Sequence, residues 1–385
     1  MAAARGGAFS FLRAAAGNPF NANGISCPSG AVGSTCTIGN VLTFAQGQGL
    51  ANVPGTINQV MQSRVLDLMP TAGNFTGLGD GVNTTGFALD RQFNTTRDTY
   101  TTRVDLDATA KDSFNFVYSW NREDVLRPDV DDSGFTPSPD VTQFSENLQL
   151  SFAYRRMISN SVVNEFRWGR FTNEVPFDRI SDYPDFYINS ITTTGTIPTT
   201  TINAPTGTLL GGLITNPINV FMDQGRNNEV MTFADNATWI MGNHSLRFGG
   251  LYQKYEVNSY NDFGIVPHYY IGNTNVSTAT STTLTNNNFG NVGGAAGTFL
   301  INGTQLAQVN GLLAILGGLV NNQQQAFNMK DIETGYVQGE RQLAPFINWN
   351  HALYVTDRWQ IRPGLTLNAG IRWEMYPALR LANGL

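Results

Sequence analysis

Two alternating strands joined by a very short turn form a pattern that occurs four times along the chain. The clearest copy spans Trp349–Met375, with its turn at Pro363. After this turn, the odd-numbered positions of Leu365–Trp373 are apolar, and the even-numbered positions of Thr366–Glu374 are polar or small. Because successive side chains of a strand point to opposite faces, this strand has one apolar and one polar face.

The other three copies of this hairpin pattern lie upstream, and long polar segments separate all four. They span Tyr100–Asn121, Phe144–Phe171 and Glu229–Val257. We expect about nine long strands, with hairpin turns near Lys111, Asn160, Asn243 and Pro363. Short turns at one end and long loops at the other are typical of an outer-membrane β-barrel. The pattern therefore predicts an all-β fold, an antiparallel meander of such a barrel with long extracellular loops.

The apolar faces of these strands are rich in aromatic side chains, which a barrel turns toward lipid. We expect the following side chains to point outward: Phe114, Phe116, Tyr118, Trp120, Leu365, Leu367, Ile371 and Trp373. On the opposite face, we expect Arg103, Asp105, Asp107 and Arg155 to line a polar interior. A β-sandwich alternates in the same way, so burial between two stacked sheets is the alternative.

The composition agrees with a barrel in which only alternate strand residues meet lipid. Charged residues are 14% of the chain, against about 25% in an average soluble domain. The longest apolar stretch is Leu312–Val320, whereas a membrane-spanning helix needs roughly 20 apolar residues. The net charge is -6, and no basic cluster with interleaved aromatic residues is present, so we expect no nucleic-acid partner.

The organisation of the chain is predicted in two parts. Residues 1–80 are a loop-rich segment preceding the barrel, in which Pro54–Met69 has the spacing of a short helix. Residues 81–385 are the N-terminal part of the barrel, with Thr84–Asn94 predicted as the first strand and Thr304–Leu319 as a short helix.

The two cysteines, Cys27 and Cys36, lie in a segment rich in glycine, serine and threonine. A disulfide bond between them would indicate an oxidising compartment, such as the periplasm or the cell surface. Two free thiols are the alternative, whereas a zinc site would need further ligands that this segment lacks.

We assign no catalytic, cofactor-binding or metal-binding residue, and we expect the protein not to be an enzyme. The acidic run from Asp129 to Asp140 is similar to the start of a calcium-binding loop, but a solvated acidic surface loop is the simpler interpretation. The three histidines, His244, His268 and His351, form no metal-binding pair in the sequence.

Several of these segments resemble the Oar-like family of TonB-dependent outer-membrane proteins. The similar segments are the hairpins Arg103–Ser119, Asp235–Gly249 and Leu353–Glu374, the loop Leu312–Leu319 and the segment Ile57–Asn74. This resemblance implies a location in the outer membrane, in contact with its lipid. It also implies uptake or binding of a bulky ligand, such as a siderophore, a glycan or a peptide. Contact with the TonB complex would be made through an N-terminal part of the parent protein.

The N-terminus does not read as a signal peptide, because Arg13 interrupts the only apolar stretch. With the resemblance, this predicts an internal piece, roughly the first third of a barrel of about 22 strands. Such a piece would be an open sheet with unpaired first and last strands. Two other functions remain open: a surface adhesin or passive barrel without energy coupling, and a soluble secreted β-sandwich enzyme.

Overall fold

A computed structural model describes most of the chain. The described residues are 5–77, 82–130, 134–190, 208–209, 214–272, 282–290 and 299–385.

The described part of the chain contains twenty strands and three helices. The strands are β1 (Phe9–Leu12), β2 (Phe20–Ala22), β3 (Ile25–Cys27), β4 (Thr35–Ile38), β5 (Thr95–Asp107), β6 (Asp112–Leu126), β7 (Val141–Ser159), β8 (Val162–Arg179), β9 (Tyr187–Ser190), β10 (Thr208–Leu209), β11 (Ile214–Thr215), β12 (Gln224–Met241), β13 (His244–Asn261), β14 (His268–Ile271), β15 (Val320–Gln324), β16 (Phe327–Asn328), β17 (Val337–Gln338), β18 (Gln342–Arg362), β19 (Leu365–Met375) and β20 (Arg380–Leu381). The helices are α1 (Val41–Gly47), α2 (Gln59–Met61), which continues as a π-helical turn over Gln62–Leu66, and α3 (Gly303–Gly317), with a further 3-10 turn at Asn286–Phe289.

Eight long strands form the main sheet, in the order β19-β18-β13-β12-β8-β7-β6-β5, and the short β20 pairs with β18. All neighbours in this sheet are antiparallel. The four predicted hairpin turns are confirmed, between β5 and β6, β7 and β8, β12 and β13, and β18 and β19. Among the described residues, β5 and β19 are the two edges, so the sheet is open, as expected.

The register places the aromatic side chains of neighbouring strands on one face of the sheet. Directly opposed residues of an antiparallel pair share a face. One such row runs across five strands, through Phe116, Phe152, Trp168, Phe233 and Tyr252. We call this side of the sheet the outer face. All eight side chains that the sequence predicts to point outward lie on it.

The opposite side, which we call the inner face, is the one that other parts of the chain cover. Every buried residue of the eight long strands lies there: Val125, Val141, Ser145, Val175 and Ala352. On the outer face, by contrast, Leu353 is 58% exposed, Ile371 71% and Trp373 52%. The β-sandwich alternative is therefore wrong, because no second sheet of the described residues covers the apolar face.

The segment before the main sheet is more regular than the sequence indicated. Strands β1 to β4 form a small antiparallel sheet in the order β1-β4-β3-β2. This sheet packs with α1, α2 and α3 around one hydrophobic core, which includes Phe11, Leu42, Val65, Phe289 and Leu313. We call this body the loop unit, because α3 and Phe289 come from the long connection between β13 and β18.

The two predicted helices are confirmed as α2 and α3. Asn302 caps α3, since its side chain accepts a hydrogen bond from the backbone N–H of Gln305. The helix ends at Gly318, which has a φ of 63° in the left-handed region that favours glycine. None of the described helices combines the length and apolar character needed to cross a membrane.

The predicted first strand at Thr84–Asn94 is wrong. The segment is irregular apart from one isolated bridge between Phe75 and Gly86, and the first long strand begins at Thr95. The side chain of Asn74 takes the place of a neighbouring strand, because it accepts from the N–H of Ala88 at 2.6 Å and donates to its carbonyl at 2.9 Å.

The predicted disulfide bond between Cys27 and Cys36 is confirmed. It joins β3 to β4 in the loop unit, where both residues are fully buried.

Candidate functional site

The polar side chains of the inner face form the candidate functional site. The strongest feature is a row of four side-chain amides and one hydroxyl across five neighbouring strands, formed by Thr99, Asn121, Asn147, Asn173 and Asn228. Each residue lies directly opposite the next, so all five side chains share this face. We call this row the amide ladder.

Hydrogen bonds run along the amide ladder in one direction. Asn121 Nδ2 donates to Thr99 Oγ1 at 2.7 Å, and Asn147 Nδ2 donates to Asn121 Oδ1 at 3.5 Å. Asn173 Nδ2 donates to Asn147 Oδ1 at 2.6 Å, and Asn228 Nδ2 donates to Asn173 Oδ1 at 3.0 Å. In the described part of the chain, Asn228 Oδ1 is buried and accepts no hydrogen bond, so the ladder ends at a buried oxygen without a partner.

This arrangement leaves hydrogen-bonding capacity on every asparagine. An amide has two N–H donors and an oxygen with two lone pairs. The ladder uses one donor of each asparagine, and Asn121 Nδ2 also donates to the backbone carbonyl of Asp98 at 3.3 Å. The remaining groups can bond water or a hydroxyl-rich or amide-rich solute. The ladder is therefore a neutral polar surface that can exchange partners along its length.

Charged side chains lie between the amide ladder and the short turns. The interior positions predicted from the sequence are confirmed: Arg103, Asp105, Asp107 and Arg155 all lie on the inner face. Arg103 Nε contacts Asp105 Oδ2 at 2.7 Å, and Asp105 also accepts from the amide of Asn115. Because exposed ion pairs contribute little to stability, these charges matter mainly as the lining of the inner face.

An ion pair between a buried carboxylate and a partly exposed arginine anchors the long connection between β13 and β18. Arg341 contacts Asp262 through two hydrogen bonds, at 2.6 Å and 2.8 Å, and the Asp262 side chain is 3% exposed. The Asp262 carboxylate also raises the pKa of Arg341. Tyr183 OH donates to the same carboxylate at 3.2 Å. The connection after β8, which carries Tyr183, is thereby tied to the connection after β13.

A second anchor is centred on Arg179, at the end of β8. Its guanidinium contacts Asp140 at 3.0 Å and donates to Tyr187 OH and to the carbonyl of Asn219, both at 2.7 Å. Burial raises the pKa of Tyr187, which is fully buried. The two anchors hold three long connections together at the loop end of the sheet.

Histidine is buried at one point of this region. His268, in β14, is 2% exposed, and its Nδ1 lies 2.7 Å from Asn189 Nδ2. Burial lowers the pKa of His268 to about 4, so the ring is neutral at pH 7 and accepts the amide hydrogen at Nδ1.

The three histidines do not come together. His244 lies on the outer face, where its Nδ1 is 2.6 Å from Asp357 Oδ2 and its ring stacks on Trp359. His351 packs against Tyr252 with ring centroids 5.2 Å apart. The described residues contain no group of three or more His, Cys, Asp or Glu side chains able to hold a metal ion.

The acidic run considered for calcium is only partly described. Asp131 and Asp132 lie outside the described residues. Asp129 is engaged by Arg127 at 2.6 Å, and Asp140 takes part in the Arg179 anchor.

Neither the amide ladder nor the two anchors can be identified from the sequence alone. Four asparagines spaced along alternating strands are a visible signal, but they identify a ladder only when the register of every strand pair is known. The anchors join residues far apart in the chain, such as Asp262 and Arg341, so no local pattern marks them.

The sequence profile of the family described as "Outer membrane beta barrel domain" matches residues 1–385. The chain belongs to this family. The domain is therefore located in the outer membrane, with the aromatic outer face toward lipid and the inner face toward the barrel interior. In such barrels the short turns are periplasmic and the long loops are extracellular, so the loop unit of this barrel domain lies on the extracellular side.

Solved structures of larger outer-membrane proteins are similar to this barrel domain at low identity. The outer membrane transporter YddB from Escherichia coli matches at 11% identity and a TM-score of 0.40, over 78% of this chain and 29% of its own. A mutant of the ferric enterobactin receptor PfeA from Pseudomonas aeruginosa matches at 10% and 0.33, over 79% and 31%. The ferric-catecholate import receptor Fiu from E. coli K12 matches at 13% and 0.27, over 83% and 47%.

The barrel domain spans less than half of the length of each of these proteins. Because every TM-score is below 0.5, the fold assignment rests on the family match and on the strand pairing. None of the curated proteins matches the sequence.

Proposed function

We propose that this domain is part of the wall of a TonB-dependent transporter of the Oar-like type, which moves a bulky polar ligand across the outer membrane. The observation that supports this most directly is the amide ladder, which crosses five strands of the inner face. A hydrated ligand that passes such a wall can exchange its bonds with water for bonds to neutral amides. The hairpins similar to the Oar-like family add support from the sequence.

The extracellular end fits the same proposal. The Asp262–Arg341 and Arg179–Asp140 anchors hold the long connections in a fixed arrangement, so a ligand would first meet a folded surface. A siderophore, a glycan or a peptide is the class of ligand that we propose. Energy coupling would come through contact of another part of the parent protein with TonB. We propose no enzymatic activity.

A surface adhesin or a passive barrel is the second candidate. It is favoured by the loop unit, which has its own hydrophobic core and a buried disulfide bond. A compact domain on the cell surface is what an adhesin presents to its partner.

Uptake measured in living cells distinguishes these functions. Cells that produce the parent protein are offered labelled siderophores, glycans and peptides, with TonB present or deleted. The proposal expects uptake of one ligand class that is lost without TonB. Uptake that persists without TonB would identify a passive barrel. Cells that take up none of the ligands, but attach to surfaces only when they produce the parent protein, would identify an adhesin.

Two variants test whether uptake depends on the amide ladder. Asn147→Ala combined with Asn173→Ala breaks the ladder on the inner face and should lower uptake. Asn227→Ala is the control, because Asn227 is exposed on the outer face next to the ladder residue Asn228. Equal uptake by both variants would show that the ladder has no part in transport.

A further inference from the structure

A groove crosses the outer face between β12 and β19. It consists of two adjoining cavities of about 580 Å³ and about 520 Å³, which share Tyr252, His351 and Met375. The larger cavity lies over Gly250, which has no side chain to fill the space beside Leu353. Most of its lining is apolar or aromatic, and the one carboxylate in it, Asp235 beside Gly250, accepts a hydrogen bond from Asn164 Nδ2 at 2.6 Å.

A bulge between β19 and β20 borders the smaller cavity. Met375 pairs with His351 and Arg380 pairs with Ile347, so β19 and β20 contain one residue more than the matching stretch of β18. Pro377 lies within this bulge and cannot donate a ladder hydrogen bond. Residues 376–379 do not pair with β18, and the smaller cavity lies here beside Trp349.

A cation closes the extracellular end of the groove. The Arg380 guanidinium lies 4.2 Å from the centroid of the Trp349 ring, and the side chain is exposed. No carboxylate of the described residues forms an ion pair with Arg380, whereas the neighbouring Lys254 is paired with Glu256. Arg380 is therefore a free positive charge at the end of an apolar groove.

The position of Trp349 sets the height of this charge in the membrane. Trp349 and Trp359 lie on the outer face of β18, ten positions apart, which is about 33 Å along the strand. At a tilt of about 40°, this spans roughly the 25 Å of an outer-membrane apolar band, whose two edges carry aromatic girdles. Arg380 thus lies at the level of the lipid headgroups in the extracellular leaflet, and the groove below it lies at the level of the acyl chains.

We propose that this groove binds one phosphorylated glycolipid of the extracellular leaflet. A lipid phosphate pairs with Arg380, and one acyl chain lies in the groove over Gly250. The charge of the site and its depth both match such a lipid: a free cation at headgroup level, continuous with an apolar recess that faces the membrane.

Native mass spectrometry of the delipidated protein in mild detergent tests this proposal, with bisphosphorylated lipid A as the probe. We expect one lipid A to remain bound, and Arg380→Gln to lower the bound fraction about tenfold, in line with loss of a charge-assisted bond. Arg226→Gln is the matched control, because Arg226 is exposed on the inner face and should not affect binding. Dephosphorylated lipid A should bind the unmodified protein as weakly as lipid A binds the Arg380→Gln variant.

A second variant tests the acyl-chain part of the site and leaves Arg380 intact. Gly250→Leu fills the groove, and the nearest atom to a Cβ built at this position is Leu353 Cδ2 at 3.0 Å, the end of a flexible side chain. We expect it to lower lipid A binding as well. The proposal is overturned if either variant binds lipid A as well as the unmodified protein does, or if dephosphorylated lipid A binds as well as lipid A. Full competition by inorganic phosphate, or a dimer of the protein without lipid, would also overturn it.

Discussion

Replacing Leu353 by arginine places a charge near the middle of the membrane. Leu353 lies on the outer face of β18, four positions from Trp349 and six from Trp359. At about 3.3 Å per residue, these separations are about 13 Å and 20 Å along the strand. At a tilt of about 40°, the two girdles lie about 10 Å and 15 Å away along the membrane normal, so the new guanidinium cannot readily reach either interface. The carboxylate of Asp235 lies in the same row beyond Gly250 and already accepts a hydrogen bond.

The expected cost follows from this depth. Arginine on the lipid face of a barrel costs about 2–4 kcal/mol at the midplane and about 0–1 kcal/mol near the interfaces. Leu353→Arg should therefore lower the free energy of unfolding by about 2–4 kcal/mol. Leu367→Arg should cost only about 0–1 kcal/mol, because Leu367 pairs with Trp359 in the periplasmic girdle.

Urea titration of the protein folded into lipid vesicles measures both free energies of unfolding. Thr366→Arg is the control, since Thr366 is exposed on the inner face of β19 opposite the neutral Gln360 and should tolerate the charge. The assigned depths are refuted if Leu353→Arg costs no more than Thr366→Arg, or if Leu367→Arg costs as much as Leu353→Arg.

Three further predictions concern the amide ladder and the loop unit with its neighbours. Asn173→Ala removes two hydrogen bonds of the ladder and should lower the free energy of unfolding in the same vesicle assay by about 2 kcal/mol. Asn228→Ala removes one and should lower it by about 1 kcal/mol. Equal losses for the two variants would contradict the ladder. Folding lowers the pKa of His268 from 6.5 to about 4. As the pH drops, the unfolded state therefore binds a proton before the folded state does, and the folded state loses stability between pH 6.5 and pH 4. At pH 5 the loss is about 2 kcal/mol, which should appear as faster proteolysis at pH 5 than at pH 7 in the native protein but not in His268→Gln. Alkylation without reductant should label neither Cys27 nor Cys36, and two labelled thiols would disprove the disulfide bond.

The hairpins could be predicted because their signal is local. Alternation over ten or more positions and a turn residue such as Gly364, with a φ of 84°, suffice to place a strand pair. The assignment of the outer face followed from the same alternation. The depth of each residue in the membrane could not be predicted from this alternation, because it depends on which aromatic residues line up across several strands.

The amide ladder could not be predicted because bulges change the register. The turn after β7 pairs Ser159 with Val162, but an extra residue at this end of β7 brings Asn147 opposite Asn173. Without that residue, Asn147 would lie opposite Glu174. A shift of one position moves every side chain of a strand to the other face, and no sequence pattern near Asn160 shows that the bulge is present.

The loop unit could not be predicted for a different reason. Its strands have three or four residues, too few for alternation to be recognised. Its core joins residues near the start of the chain, such as Phe11, to Leu313 in α3. Contacts at such separation in sequence leave no local periodic signal.

The assignment of the two faces is the central claim, and a cysteine scan along β7 tests it most directly. Single cysteines at positions 148 to 154 are labelled with a fluorophore in lipid vesicles and quenched by brominated lipid or by aqueous iodide. Cys27 and Cys36 do not interfere while they remain in their disulfide bond. We predict that lipid quenches the even-numbered positions, including Leu150 and Phe152, and that iodide quenches the odd-numbered positions, including Ser151. Equal quenching at neighbouring positions, or lipid quenching at the odd-numbered ones, would contradict the account.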